Sequence, residues 1–162
     1  MRAALSLARR GLGATWPNPA VGCVIRRNGV VLGRGWTQPG GRPHAEQVAL
    51  EQARDRWGGE ALRGADVFVT LEPCSHQGKT PPCADALARS GVGRVVAPLA
   101  DPDPRVNGSG FDRLRAAGTR VEIGLLESEA RALNAGFLSR LALGRPHVTL
   151  KMAATLDGRI AT

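Results

Sequence analysis

The sequence predicts an α/β protein, with a mixed five-stranded sheet held between helices in a three-layer α/β/α sandwich. Three observations predict it. Asn28-Gly29 is a strong two-residue hairpin signal joining two apolar strands near the start. Beyond the hairpin, short β-branched runs alternate with segments of helical periodicity. The length of 162 residues suits one domain with a real core and leaves little for a second.

The elements follow in order. Residues 2–12 read as a helix, with Leu5, Ala8 and Leu12 on one face and Gly13 near its stop. Thr15 to Pro19 is a loop, because a proline stands on either side of Asn18. Residues 20–26 form a strand, residues 30–36 its hairpin partner, and residues 37–43 a loop. Residues 44–57 carry Ala45, Val48, Ala49, Ala53 and Trp57 at helical spacing. The run 65–71 is apolar and β-branched, so it predicts a buried strand followed by a loop over 72–82. Thr80-Pro81-Pro82 supplies a cap and first turn for a helix over 81–90. A short strand at 93–97, a loop over 98–109, a helix near 109–117, a strand at 119–123 and helical segments over 127–142 complete the domain. Pro146 then breaks the helix. Residues His147 to Met152 predict a further strand, with a turn at Asp157-Gly158, as though another domain were opening.

Composition narrows the function. No run approaches the roughly 18 apolar residues of a membrane span. The N-terminus lacks the sustained apolar segment of a signal peptide, so a cytoplasmic protein without a membrane partner is expected. The net charge of +8 permits a nucleic-acid binder, whose binding would depend steeply on salt. However, 20 of the 22 basic residues are Arg, scattered from Arg2 to Arg159, and the chain has no Tyr. That pattern makes no stripe, so no nucleic-acid partner is expected; a phosphorylated small molecule suits the charge equally well. The two Lys, at 79 and 151, stand out in a chain that otherwise uses Arg. Three Cys (23, 74 and 83) suggest thiols or metal ligands rather than a disulfide framework. A homo-oligomer is left open.

The chemistry lies in His44-Ala45-Glu46, followed by Pro73-Cys74 and then Cys83. Catalytic zinc takes three protein ligands of this kind and keeps an open fourth position. His44, Cys74 and Cys83 supply one nitrogen and two sulfurs. Water in the remaining position would ionise near pH 7, producing a hydroxide that attacks an amino-bearing ring carbon. Glu46 is the proton carrier rather than a ligand. Two residues along a regular helix diverge by about 200°, but at a helix start the backbone is still opening and the long side chain swings back. H-x-E followed by P-C-x-x-C is the signature of zinc deaminases. Here eight residues separate the cysteines, which places His76 and Lys79 between ligands. Cys23, inside a strand, suits core packing. The alternatives are a deaminase for another nucleobase, nucleoside or tRNA, and a non-enzymatic zinc module in which Cys23 closes a Cys3His site.

At these residues the sequence resembles the bifunctional riboflavin biosynthesis deaminase–reductase family. The matching stretches are PNPAVGCVI (17–25), HAE (44–46), LEPCSHQGKTPPC (71–83), DPDPRVNGSG (101–110) and VTLKMAATLDGRIAT (148–162). The resemblance implies a cytidine deaminase-like fold over 1–145 and the truncated start of a reductase domain over 146–162. It implies Zn2+ as cofactor and, as substrate, 2,5-diamino-6-ribosylamino-4(3H)-pyrimidinone 5′-phosphate, which loses an amino group as ammonia. His44, Cys74 and Cys83 match the family's zinc ligands and Glu46 its proton shuttle. Asn18 matches a loop residue that holds the ring, and His76 and Lys79 match the substrate-facing spacer. Asp101 and Asn107 match a later substrate loop, in which Asp103 stands where Asn is expected. NADPH, with Ala154 among its contacts, would belong to a complete reductase domain; reductase activity is not expected of this chain.

Overall fold

The structure is a computed structural model and describes residues 1–78 and 81–160. Five strands form one sheet in the order β2-β1-β3-β4-β5. They are β1 (Gly22–Arg27), β2 (Val30–Trp36), β3 (Asp66–Val69), β4 (Arg94–Ala97) and β5 (Arg120–Ile123). β1 runs antiparallel to both β2 and β3, whereas β3, β4 and β5 are mutually parallel. The sheet is therefore mixed, as the hairpin and the later strand–helix alternation predict. Asn28 and Gly29 both have positive φ, 50° and 81°, as a tight two-residue hairpin turn requires.

Among the described residues six α-helices pack around the sheet: α1 (Arg2–Ala8), α2 (Ala45–Trp57), α3 (Cys83–Arg89), α4 (Ser109–Ala116), α5 (Glu127–Leu133) and α6 (Ala135–Leu143). Alternation along β1 divides the faces. Val24 packs with Ala4 and Leu7 of α1, whereas Cys23 and Ile25 join the main core with Ala45, Ala49 and Leu50 of α2. Glycine sets how closely α2 approaches. A Cβ on Gly33 would lie 2.1 Å from the Ala49 carbonyl oxygen, and one on Gly35 would lie 2.1 Å from that of Ala45. Only hydrogen at both positions lets the first turns of α2 rest directly on β2.

Three expectations need correction. The first helix ends at Ala8 and tightens into a 3-10 turn over Arg9–Gly11, leaving Leu12 half exposed. Glycines at 11 and 13 weaken a continuing α-helix. Trp57, the last residue of α2, is exposed although it continues the buried stripe of Ala49, Leu50 and Ala53. The strand expected over His147–Met152 does not form. Those residues pair with no strand and are exposed, because a lone extended segment has no partner for its N–H and C=O groups. The turn near Asp157 is present, with Gly158 N–H donating to the Thr155 carbonyl at 2.9 Å. Among the described residues, no helix is long and apolar enough to cross a membrane.

Candidate active site

Three chain segments meet beyond the C-terminal end of the central strand β3. His44 is the N-cap of α2, with extended φ/ψ of −70° and 158°. Cys74 lies in the loop after β3, and Cys83 is the first residue of α3, after Pro82 at the N-cap. His44 Nδ1 lies 3.7 Å from Cys74 Sγ and 3.5 Å from Cys83 Sγ. All three potential ligand atoms fall within 4.8 Å of one another.

Zinc geometry tests this arrangement. Bonds of about 2.3 Å to sulfur and about 2.05 Å to nitrogen, at a tetrahedral angle, place sulfur and nitrogen ~3.6 Å apart. The two observed separations fall on either side of that value, as expected for one imidazole and two sulfurs that could share a zinc ion. The proton distribution also suits a cation. A hydrogen bond from Cys83, with a second from His44, holds the Cys74 thiol down at about 4. The bond to Cys74, together with burial, pushes the Cys83 thiol up. A dication between the sulfurs would replace the proton they compete for. Cys23 is fully buried in β1 and is not among the grouped ligand atoms. A closed Cys3His site is therefore not what these residues form.

Glu46 stands beside this centre without joining it. The extended backbone at His44 means that helical spacing has not begun there, so residues 44 and 46 line one cavity of about 270 Å3. Glu46 is only 4% exposed. Burial raises its carboxyl from an ordinary 4.5 to about 7, against the opposing pull of His44. A carboxyl balanced near neutrality both accepts and returns a proton readily.

Asn18, His76, Asp101 and Asp103 line the same cavity. Asn18 Nδ2 donates to the Gly41 carbonyl at 2.8 Å, which fixes the amide and leaves its oxygen for another partner. His76 Nδ1 is buried and has no hydrogen-bond partner among the described residues. Burial raises the Asp101 carboxyl to about 6. Asp103 is held down at about 2 by Arg105, whose Nε donates to Oδ1 at 2.9 Å. Asn107 is exposed, has φ of 33° and does not line the cavity. Ala154 is exposed in the C-terminal segment, away from the cavity, and Lys79 lies outside the described residues.

Four charged residues of the cavity wall were not among the expected site residues. Arg42, Arg105 and Arg140 bring positive charge to it, and Glu72 lies buried within it. In a chain with 20 Arg, no local pattern distinguishes these three. Glu72 carries a signal that was available, since a carboxylate directly before Pro73-Cys74 at the end of a buried strand must find donors there.

Residues 1–99 match the family model described as the cytidine and deoxycytidylate deaminase zinc-binding region. The chain is 49% identical over 162 residues to the riboflavin biosynthesis protein RibD of Aquifex aeolicus, covering all of this chain and 44% of that one. It is 53% identical over 161 residues to RibD of Escherichia coli, covering 99% of this chain and 42% of that one. The crystal structure of a diaminohydroxyphosphoribosylaminopyrimidine deaminase/5-amino-6-(5-phosphoribosylamino)uracil reductase from Thermotoga maritima superposes with a TM-score of 0.93. It is 46% identical and matches 99% of this chain and 45% of that one. The chain thus spans less than half the length of these relatives.

Proposed function

Because the chain belongs to the cytidine and deoxycytidylate deaminase zinc-binding family, we propose that it catalyses the hydrolytic deamination step of riboflavin biosynthesis. The substrate is 2,5-diamino-6-ribosylamino-4(3H)-pyrimidinone 5′-phosphate, as the names of its relatives suggest. The observation that carries the reading is the His44–Cys74–Cys83 centre with buried Glu46 beside it in one cavity. In the reaction, the oxygen of water bonds to the amino-bearing ring carbon. The carbon–nitrogen bond then breaks, and the amino group departs as ammonia.

His44 Nδ1, Cys74 Sγ and Cys83 Sγ would hold a zinc ion, which would supply Lewis acidity toward water. Glu46 takes one proton from the attacking water and passes it to the ring nitrogen, then takes the second proton from the new C–OH group and passes it to the amine, which leaves as ammonia as the C=O bond forms. Its burial keeps bulk water from competing for that proton. Asn18 orients the ring through the oxygen of its amide. His76, Asp101 and Asp103 face the sugar and its substituents, and Arg105 neutralises Asp103 so that an anionic substrate is not repelled. Lys79, with the cavity arginines, is assigned to the phosphate. Asn107, exposed and outside the cavity, makes no substrate contact in this reading.

The same reading divides the chain at residue 145. Residues 146–162 correspond to the opening of the reductase half, and NADPH with the Ala154 contact falls to that half. A cytoplasmic location agrees with Cys74 and Cys83, neither of which is joined in a disulfide.

The test is ammonia release from the ribosylaminopyrimidinone phosphate. We expect turnover that follows zinc content, disappears with a chelator and returns on adding zinc. Activity on cytidine, guanine or tRNA, with none on the pyrimidinone phosphate, would refute the substrate assignment.

A further inference from the structure

Glu72 is 4% exposed, and both of its oxygens are engaged by backbone N–H groups from one remote segment. Oε2 accepts from Asp101 N–H and Gly108 N–H, each at 2.9 Å. Oε1 accepts from Gly110 N–H at 2.8 Å and Phe111 N–H at 3.4 Å. Gly108 is the N-cap of α4, and Gly110 and Phe111 lie in its first turn, so the carboxylate caps that helix from another strand's end. The contact is close as well as polar: a Cβ on Gly110 would lie 2.1 Å from the Pro73 carbonyl oxygen. Ser75 Oγ and Ser109 Oγ, 2.6 Å apart, make a second link between the same two segments.

One segment, Glu72 to Ser75, contains the sulfur ligand Cys74. The other, Asp101 to Phe111, carries Asp101 and Asp103 into the cavity wall. We infer that Glu72 is a positioning residue. It sets the substrate-facing loop at a fixed distance from the metal centre by gathering the loop's ends and the α4 N-terminus onto one carboxylate. With its oxygens occupied, Glu72 has no lone pair directed at a reacting atom, so it orders the site without exchanging protons with substrate. This assignment rests on the proposed function for its kinetic consequence but not for its structural one.

Glu72→Gln is the direct test, since the amide places an NH2 group against N–H donors. The variant should keep one zinc per chain. Amide exchange at Asp101, Gly108, Gly110 and Phe111 should accelerate at least ~10-fold while amides of β1 are unchanged. KM for the pyrimidinone phosphate should rise about 10-fold, with kcat reduced by less than about threefold. Gly110→Ala separates the same two segments from the other side and should reproduce the KM-dominated pattern, which keeps the inference testable if Glu72→Gln does not fold. Unchanged loop exchange, or a uniform loss of active protein at constant KM, would overturn the assignment. A wild-type chain inactive on this substrate would refute the proposed function instead and leave the exchange comparison to decide the role of Glu72.

Discussion

Replacing Glu46 with Gln separates the catalytic from the energetic role of that side chain. Glu46 lies outside the ligand group, so the variant should bind zinc as the wild type does. Gln cannot accept and return a proton, so turnover should fall about 10³-fold or more. The structure adds an effect of opposite sign in chelator-treated protein. Burial raises the folded-state carboxyl from 4.5 to about 7. Below about pH 4.5 the group is protonated whether folded or unfolded and contributes no difference. Between those two values the folded chain retains a proton that the unfolded chain has released, so stability falls as pH rises, and above about 7 the loss is complete. The interval is worth about 3 kcal/mol at ~1.4 kcal/mol per pH unit. Gln escapes it, so at pH 8 the metal-free variant should melt roughly 6–12 °C above the metal-free wild type, and the gap should close near pH 4.5. Thermal melts across that range, together with ammonia release and metal analysis, make the measurement. Residual activity above about a tenth of wild type would refute the proton-transfer role. A melting gap that does not change with pH would refute the burial argument.

Two further outcomes follow from the same geometry. Gly35→Ala places a Cβ 2.1 Å from the Ala45 carbonyl oxygen and 2.8 Å from Ala49 N, so α2 must retreat from β2. The expected destabilisation is about 1–3 kcal/mol, with zinc affinity falling because His44 caps that helix; unchanged melting and zinc content would contradict the packing account. Asp103 is depressed to about 2 by Arg105, so its contribution is present above an unfolded value of about 4 and is lost as pH falls through about 2. Arg105→Ala should therefore lower stability at pH 6 but approach wild type near pH 2, and a difference that persists at pH 2 would show that the pair does not act through charge.

Most of the catalytic centre was legible because its chemistry restricts residue type. Few side chains bind zinc as His44, Cys74 and Cys83 can, and a Pro-Cys pair at a strand end is hard to explain by packing. Strand and helix order was legible from periodicity and from Asn28-Gly29. What escaped depended on neighbours distant in sequence. Trp57 continues the helical stripe of Leu50 and Ala53, and only the tertiary packing leaves the end of α2 exposed. Arg42, Arg105 and Arg140 resemble the other arginines until the fold gathers them around a cavity. Residues 147–152 have the pattern of a strand, yet they pair with none of the five strands of the sheet.

Sequence alone picked out the candidate ligand set, the nearby acid and the alternation of elements, because metal coordination and backbone periodicity are local constraints on residue type. Only the tertiary structure decided how the ligands meet and what surrounds them. The 3.5 and 3.7 Å sulfur–nitrogen separations depend on α2 resting on Gly33 and Gly35. The hold of Glu72 on the 101–111 segment depends on hydrogen bonds spanning 29 to 39 residues. Such distances follow from packing between remote segments, and a one-dimensional pattern carries no direct measure of them.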